Sequence, residues 1–476
     1  MGKSKKKLII IGGGITGLSA AFYAEKWSDE QQIPIDITIL EKSNVLGGKI
    51  QTIRRNNFVI ERGPESFLAR KQPIMTLIKD LKLENELIST NPNASTNYIL
   101  HKGKLHKMPP GLMLGIPTKL TPFMKTGLIS PVGKMRAAMD LCLPRKKTME
   151  DESLGNFIER RLGKEVLDHI TEPLLGGIYA GDTRFLSLQA TFPHFSEIEQ
   201  SHRSLILGML ASKVKVSKKE ESPTSSPKSV FLTFKNGMDT VVIHLEKSLQ
   251  SAVNILKGKE VQNVLPNGQG YDIELDGGDK LYADGIIMAI PTFLTQDLLT
   301  NISTLDWLKE INYVSVANMA LAFDKKDITF DLNGSGFVIP RKEERTLTAC
   351  TWSSSKWFHT AENDKVLLRC YIGRGGSEDW VDLSDEQLVS KVRKDIEEIM
   401  GIKAKPLFHE LTRLCKSMPQ YPVEHVKQLK ITRELLNTNA PGIYLCGAGY
   451  EGVGVPDCIQ QGKHASEKVL NFFKRT

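Results

Sequence analysis

No run of about 18 apolar residues occurs in the chain, so nothing in it is long enough to cross a bilayer as a helix. Cysteine is sparse: Cys142, Cys350, Cys370, Cys415, Cys446 and Cys458 in 476 residues. None falls in a C-x-x-C pair and no Cys/His cluster has zinc spacing, which points to reduced, mostly buried thiols rather than a metal centre or a disulfide framework. No nucleic-acid motif occurs, so no nucleic-acid partner is expected. Acid is nearly missing from Met108–Pro144, where Asp140 is the single acidic residue. That stretch reads either as a loop-rich helical core or as a surface that touches a membrane interface or shapes a pocket.

What is present is ordinary in bulk. Forty per cent hydrophobic and 25% charged residues describe a globular chain long enough for two or three domains. The net charge of +8 lies partly in Lys3–Lys7 and Lys213–Lys219 and suits an anionic substrate or a membrane surface. Lys5–Lys7 followed by an apolar run imitates a secretory signal. The same residues are needed as a first strand and turn, and Lys6 stands where a myristoylation motif wants Ser or Thr. The expected compartment is the cytoplasm.

Leu8–Glu41 carries the main signal. An apolar run, Leu8–Ile11, leads into Gly12, Gly14 and Gly17 in G-x-G-x-x-G spacing, then a helix-like segment, then a second apolar run, Ile35–Leu40, ending on Glu41. This is the order of a dinucleotide-binding βαβ unit. Gly12 allows the turn, Gly14 lets a pyrophosphate approach the backbone, and Gly17 lets helix and strand pack closely. The helix N-terminus favours phosphate, and Glu41 is placed to accept hydrogen bonds from ribose hydroxyls.

Beyond this unit, Gly47-Gly48-Lys49 brings backbone close to something flat or charged, and two short strands flank a turn at Arg55–Asn57. Residues from about Gln72 to Ser217 read as mostly helical, with a helix over Ser153–Leu162 and a stop expected at Pro173 and Gly176-Gly177. Ser212–Ser229 is low-complexity and charged. Gly237–Leu249 reads as a helix, Gly258–Pro291 as a β-meander ending in a buried strand, and Val314–Phe323, Gly336–Ile339, Thr346–Trp352 and Val366–Ile372 as strands. Late in the chain, strand Ile443–Cys446, a glycine-rich loop Gly447–Gly454 and a helix from Asp457 repeat the strand–loop–helix pattern and return the chain to its first domain.

The acid–GG–Lys element, Glu41 to Lys49, resembles the flavin amine oxidase superfamily. ERGPESF at Glu61–Phe67, EPLLGGIYAGD at Glu172–Asp182, LSLQATFP at Leu186–Pro193, HRSLILGM at His202–Met209, TACTWSSSKW at Thr348–Trp357, SMPQY at Ser417–Tyr421 and EGVGVPDCIQQGK at Glu451–Lys463 resemble the oxygen-dependent protoporphyrinogen/coproporphyrinogen oxidases. The resemblance covers essentially the whole chain and is nearest to the Gram-positive-type branch acting on coproporphyrinogen III. It implies an α/β fold whose FAD-binding Rossmann-like domain is built from discontinuous segments, 1–72, 225–300 and 413–476. A mixed-sheet substrate-binding domain would take 73–92 and 301–412, a mostly helical, membrane-contacting subdomain 93–210, and a flexible loop 211–229.

The resemblance also implies the site. Non-covalent FAD would be held by Gly12, Gly14, Ile15, Thr16, Gly17, Glu41, Lys42, Gly47, Gly48 and Lys49, with Lys49 where most members carry Arg. Gly63, Pro64, Glu65, Ser66, the Val261 backbone at the adenine, and Gly447, Ala448, Gly452, Val453, Gly454 and Val455 complete the set. The helix N-terminus near Gly454 would face the flavin N1/C2=O edge. Oxidation of coproporphyrinogen III to coproporphyrin III, with release of hydrogen peroxide, would need no acid–base dyad, and none is identified; the hydride goes to flavin N5. Lys71, then Arg70, are the first candidates to hold substrate propionates, with His202-Arg203 as a further pair. Gly176, Gly177 and Ile178 would wall the macrocycle. Trp352 and Trp357 read as core. Implied partners are a porphyrinogen, molecular oxygen, the inner face of the cell membrane and a ferrochelatase taking the product in haem biosynthesis. The same scaffold also serves protoporphyrinogen oxidases, amine oxidases, polyene desaturases and the flavin-free GDP-dissociation inhibitors. No S-G-G-C-Y site for covalent flavin occurs, and the late glycine loop argues against a flavin-free role.

Overall fold

Five short strands from three distant parts of the sequence build one parallel sheet. The computed structural model describes residues 5–113, 115–148, 150–211, 229–300 and 305–476. Its parallel sheet runs in the order Val253–Lys257, Ile35–Glu41, Lys6–Ile11, Gly285–Met288, Ile443–Leu445. Lys6–Ile11 is central, with Ile10 opposite Ile39 on one side and Ile287 on the other. Its side chains alternate between two cores. Leu8 and Ile10 enter the layer under helices Ile15–Glu30 and Val455–Phe473, while Ile9 and Ile11 enter the opposite layer. All four are at most 4% exposed, each burial worth about 1.5–3 kcal/mol. A strand buried on both faces must be apolar throughout, which is why Leu8–Ile11 reads as a continuous run rather than an alternation.

The two helices that flank the sheet pack backbone to backbone. A Cβ on Gly462 would lie 2.4 Å from the Thr16 carbonyl oxygen, and Ser466 Oγ donates to the Ala20 carbonyl at 2.6 Å. The last helix of the chain is thereby fixed against the first.

A three-stranded meander, Val261–Asn267, Gly270–Leu275 and Lys280–Ala283, precedes the return strand Gly285–Met288. The second large sheet has seven strands in the order Phe408–Pro419, Tyr313–Asp324, Lys365–Ile372, Leu347–Trp352, Gly336–Val338, Asn97–His101, Lys104–Lys107. One face is covered by helix Asp385–Met400, whose N-terminus carries a Ser384/Gln387 capping box.

Several expectations need correction. The region expected to be helical, 93–210, opens with strands Asn97–His101 and Lys104–Lys107, which belong to the seven-stranded sheet. Strand Phe408–Pro419 runs across the boundary expected between 412 and 413. Pro173 and Gly176-Gly177 do not stop a helix. A π-helical turn, Leu167–Thr171, leads into α-helix Glu172–Tyr179, and Pro173 sits in its first turn, where its missing N–H costs little. The helix ends at Ala180, which adopts a left-handed φ of 50°. Strand Val253–Lys257 and helix His425–Asn439 are further elements that the sequence reading did not resolve. The loop expected over 211–229 lies outside the described residues except at its two ends. Among the described residues, no helix is long and apolar enough to cross a membrane.

Candidate active site

The first glycine turn forms where strand Lys6–Ile11 meets helix Ile15–Glu30. Gly12 has a φ of +107°, and a Cβ there would lie 2.6 Å from the Ala289 carbonyl oxygen. A Cβ on Gly17 would lie 1.9 Å from the Gly12 carbonyl oxygen, so only glycine lets the helix start this close to the strand. Gly14 is the N-cap, and no side chain caps the helix. A Cβ on Gly14 would meet nothing within 4 Å. The first-turn N–H groups thus stand beside open space, the arrangement that accepts a phosphate.

Glu41 ends the neighbouring strand. Its Oε2 accepts from Gly13 N at 2.7 Å and its Oε1 from Ser43 N at 2.8 Å, so the carboxylate is held in one orientation with lone pairs to spare. Lys42 pairs with Glu260 at 2.7 Å, next to Val261. Gly47 N donates to Gly13 O at 2.9 Å, which draws Gly47-Gly48-Lys49 against the turn. Lys49 donates from Nζ to the Ser417 carbonyl, and burial lowers its pKa against a smaller opposing effect of Cys458. A bidentate Arg has no counterpart here: the ammonium is committed to one backbone oxygen.

The opposite wall comes from the other end of the chain. Loop Gly447–Gly454 leads into helix Val455–Phe473, whose N-cap, Gly454, also lacks a side-chain cap. Gln461 braces this loop, accepting from Gly447 N at 3.1 Å and donating to Glu451 O at 2.7 Å. Cys446 lies before the loop, buried, its Sγ 3.7 Å from Met288 O, and burial pushes its thiol far up.

Between these walls lies one continuous cavity of about 3020 Å³. A site for one ordinary small molecule occupies about 300–1,000 Å³, so the space admits a dinucleotide and a second large ligand together. It is bordered by Gly12, Gly14, Ile15, Thr16, Glu41 and Lys42, by Gly47, Gly48 and Lys49, and by Gly63, Pro64, Glu65 and Ser66. Val261, Gly447, Ala448, Gly452, Val453, Gly454 and Val455 border it as well. Gly17 does not; it lies behind the turn, packed on Gly12.

The proposed substrate residues share the cavity. Gly176, Gly177 and Ile178 face it from helix Glu172–Tyr179, and a Cβ on either glycine would meet nothing within 4 Å. That helix therefore offers bare backbone to a flat ligand. Arg70 is exposed at the edge, and Lys71 pairs with Asp457 in the first turn of the C-terminal helix at 2.7 Å. His202 and Arg203 are corrected: they do not border the cavity. Arg203 donates to Leu141 O at 3.0 Å, and His202 Nδ1 lies 2.8 Å from Ser201 Oγ. Trp352 and Trp357 are at most 2% exposed and lie in the core.

One cluster escaped the sequence reading. Glu65 is paired with Lys356, and its Oε2 lies 3.5 Å from both Arg369 Nη1 and Tyr371 Oη. Arg369 also donates to the Gly63 carbonyl. Burial alone would raise the Glu65 pKa; Lys356 and Arg369 instead hold it at about 2. Close by, burial pushes Glu61 up to about 7, against hydrogen bonds from Met238 N and Thr52 and the charge of Arg369. A lone arginine in the otherwise apolar stretch Val366–Cys370 was the available signal.

These features suit a bound FAD. Two uncapped helix N-termini face one cavity, a bare glycine borders it, the Glu41 carboxylate is held in one orientation beside the first glycine turn, and the volume exceeds that of the cofactor alone. The comparisons agree. Residues 15–470 match the family described as flavin containing amine oxidoreductase. The chain is 45% identical over 472 residues to the coproporphyrinogen III oxidase of Bacillus subtilis, covering 99% of each chain. It is 40% identical to that of Staphylococcus aureus, covering 98% of this chain and 99% of the relative. The crystal structure of a putative protoporphyrinogen oxidase from Exiguobacterium superposes with a TM-score of 0.87 at 35% identity, covering 98% of this chain and 99% of the other. Fold, cavity and full-length similarity agree that this chain belongs to the flavin containing amine oxidoreductase family and is an FAD-dependent oxidoreductase.

Proposed function

We propose that this protein oxidises coproporphyrinogen III to coproporphyrin III in haem biosynthesis, with molecular oxygen as electron acceptor and hydrogen peroxide as product. The observation that carries the reading is the large continuous cavity, which joins the dinucleotide turn to the bare backbone of Gly176-Gly177. The similarity to the relatives named coproporphyrinogen III oxidase supports this substrate over the divinyl protoporphyrinogen. Six electrons leave the macrocycle, so three oxygen molecules give three of hydrogen peroxide.

Bound FAD supplies the hydride acceptor and the reaction with oxygen. The chain supplies the rest. Gly176 and Gly177 let the macrocycle lie against backbone, and Leu174, Val316, Leu414 and Met418 keep the cavity apolar and dry. The N-terminus of helix Val455–Phe473 places positive dipole potential at the cavity wall, where negative charge is stabilised. Lys71, steadied by Asp457, and Arg70 lie where propionates at the edge of the macrocycle arrive. The test is porphyrin fluorescence under air with each porphyrinogen, and under argon as control. Faster, oxygen-dependent turnover of coproporphyrinogen is expected; a clear preference for protoporphyrinogen overturns the reading.

The reading includes a cytoplasmic enzyme that docks on the inner face of the cell membrane and passes its product to a ferrochelatase. Leu120, Met124, Val132 and Met135 are 45–68% exposed on helices Leu120–Lys125 and Pro131–Ala138, beside Lys119, Lys125 and Lys134. Such a mixed apolar and basic face suits an anionic bilayer. Co-sedimentation with phosphatidylglycerol vesicles is expected, and Val132→Asp/Met135→Asp abolishes it; equal sedimentation of both proteins refutes the contact.

A further inference from the structure

The Glu65 cluster has more donors than acceptors. Both oxygens of Glu65 are engaged, Oε1 by Lys356 and Oε2 by Arg369 and Tyr371. Lys356 has three N–H donors and Arg369 five. The Nε of Arg369 has no hydrogen-bond partner among the described residues, although the side chain is 6% exposed. Two cations therefore face one fully ionised carboxylate. Glu61, whose oxygens are taken by Met238 N and Thr52, is pushed toward its neutral form by burial and so offsets little of this charge. Lys356, Arg369, Tyr371 and Glu65 all border the cavity. The Lys356 side chain is 16% exposed, and its Nζ lies 5.5 Å from the centroid of the Phe231 ring, which also borders the cavity. An excess of buried positive charge with free donors is costly unless an anion arrives to share it. The one cluster thus joins the Gly63–Ser66 segment, the helix Ser353–Lys356 and the strand Lys365–Ile372 around an anion-seeking corner of the cavity.

We propose that Lys356, with Arg369 and Tyr371 beside it, forms a carboxylate-recognition site in the cavity wall that takes a propionate of the substrate. This deepens the function proposed above and rests on it. Glu65 is the positioning residue: it holds the ammonium and the guanidinium on one part of the cavity wall. The incoming carboxylate offsets the excess of their charge over that of Glu65, and no bond is made or broken. Lys71 is separately occupied by Asp457, so this corner provides an anchor that does not depend on it.

The test uses FAD-loaded enzyme and two ligands of one shape, coproporphyrin III and its tetramethyl ester, with binding read by porphyrin fluorescence. Lys356→Met is expected to weaken coproporphyrin binding about tenfold and leave the ester within about twofold. KM for coproporphyrinogen rises by a similar factor while kcat changes little. Lys356→Arg restores both. Tyr371→Phe, which keeps the ring, gives a smaller loss with the same preference for the free acid. Equal weakening of acid and ester, or a loss of flavin content in Lys356→Met, overturns the site as a carboxylate anchor. Failure of the wild type to oxidise coproporphyrinogen is a different result, which removes the substrate reading and this inference with it.

Discussion

Gly17 makes the closest contact in the dinucleotide turn. With Gly12 O 1.9 Å from where a Cβ would be, Gly17→Ala must move helix Ile15–Glu30 off its strand, at a cost of about 1–3 kcal/mol. Thermal melting of the holoenzyme is expected to fall and the flavin absorbance per protein to drop with it. Glu41→Ala removes the acceptor for Gly13 N and Ser43 N, and FAD retention on desalting is expected to fall if Glu41 also holds the ribose; an unchanged flavin content would remove Glu41 from that role. The buried acids give opposite pH effects. Glu61, raised to about 7 from an ordinary 4.5, contributes stability that is complete below about pH 4.5 and lost as pH rises through 7. Glu65, held at about 2, contributes stability present above about pH 4.5 and lost as pH falls toward 2. Each displacement corresponds to about 3 kcal/mol. The wild type is therefore expected to lose urea stability between pH 5 and 7, and Glu61→Gln is expected to flatten that decline. At this scale the glycines of the turn were legible because a tight turn restricts residue type. Lys356 and Arg369 were not read, because a cation in a strand or short helix acquires meaning only from what the fold places opposite it.

Helix Glu172–Tyr179 shows why punctuation residues mislead when taken alone. Pro and a Gly pair normally end helices, yet here the π-helical turn Leu167–Thr171 feeds the proline into a first turn, and tertiary packing outweighs the glycine penalty. The same two glycines make the helix surface bare toward the cavity. Gly177→Ala is expected to raise thermal stability by about 0.5–1 kcal/mol, since the added methyl meets nothing. Gly177→Phe places a ring in the cavity, so porphyrinogen turnover falls at least tenfold while flavin content persists. A Gly177→Phe enzyme with normal KM would show that the macrocycle does not lie against this helix. Strands were legible where both faces are buried and apolar, as in Lys6–Ile11 and Tyr313–Asp324. Val253–Lys257 was not, because five residues after a helix carry too little pattern to assign.

At the scale of the molecule, each wall of the site comes from segments hundreds of residues apart. The cavity is bordered by elements near both ends of the chain, so binding of FAD there is expected to be linked to global stability: saturation at about 100 times Kd adds about 2.7 kcal/mol. A melting temperature that rises with added FAD is the expected readout. The class of the fold was legible from Leu8–Glu41 and from the late glycine loop. The strand order, the seven-stranded sheet reached by residues 97–107, and the shared cavity were not, because they depend on long-range pairing that no local pattern encodes.

The parallel sheet has a consequence for synthesis. Its central strand, Lys6–Ile11, is synthesised well before its neighbour Gly285–Met288 and the edge strand Ile443–Leu445. At about 5–20 residues per second, the apolar run at the N-terminus waits roughly 15–60 s for the Gly285–Met288 partner, and longer for helix Val455–Phe473. During that interval the central strand lacks one neighbour, and the cavity wall Gly447–Gly454 has not been made. A nonsense codon shortly before Gly447 is therefore expected to abolish flavin retention rather than merely to shorten the last helix.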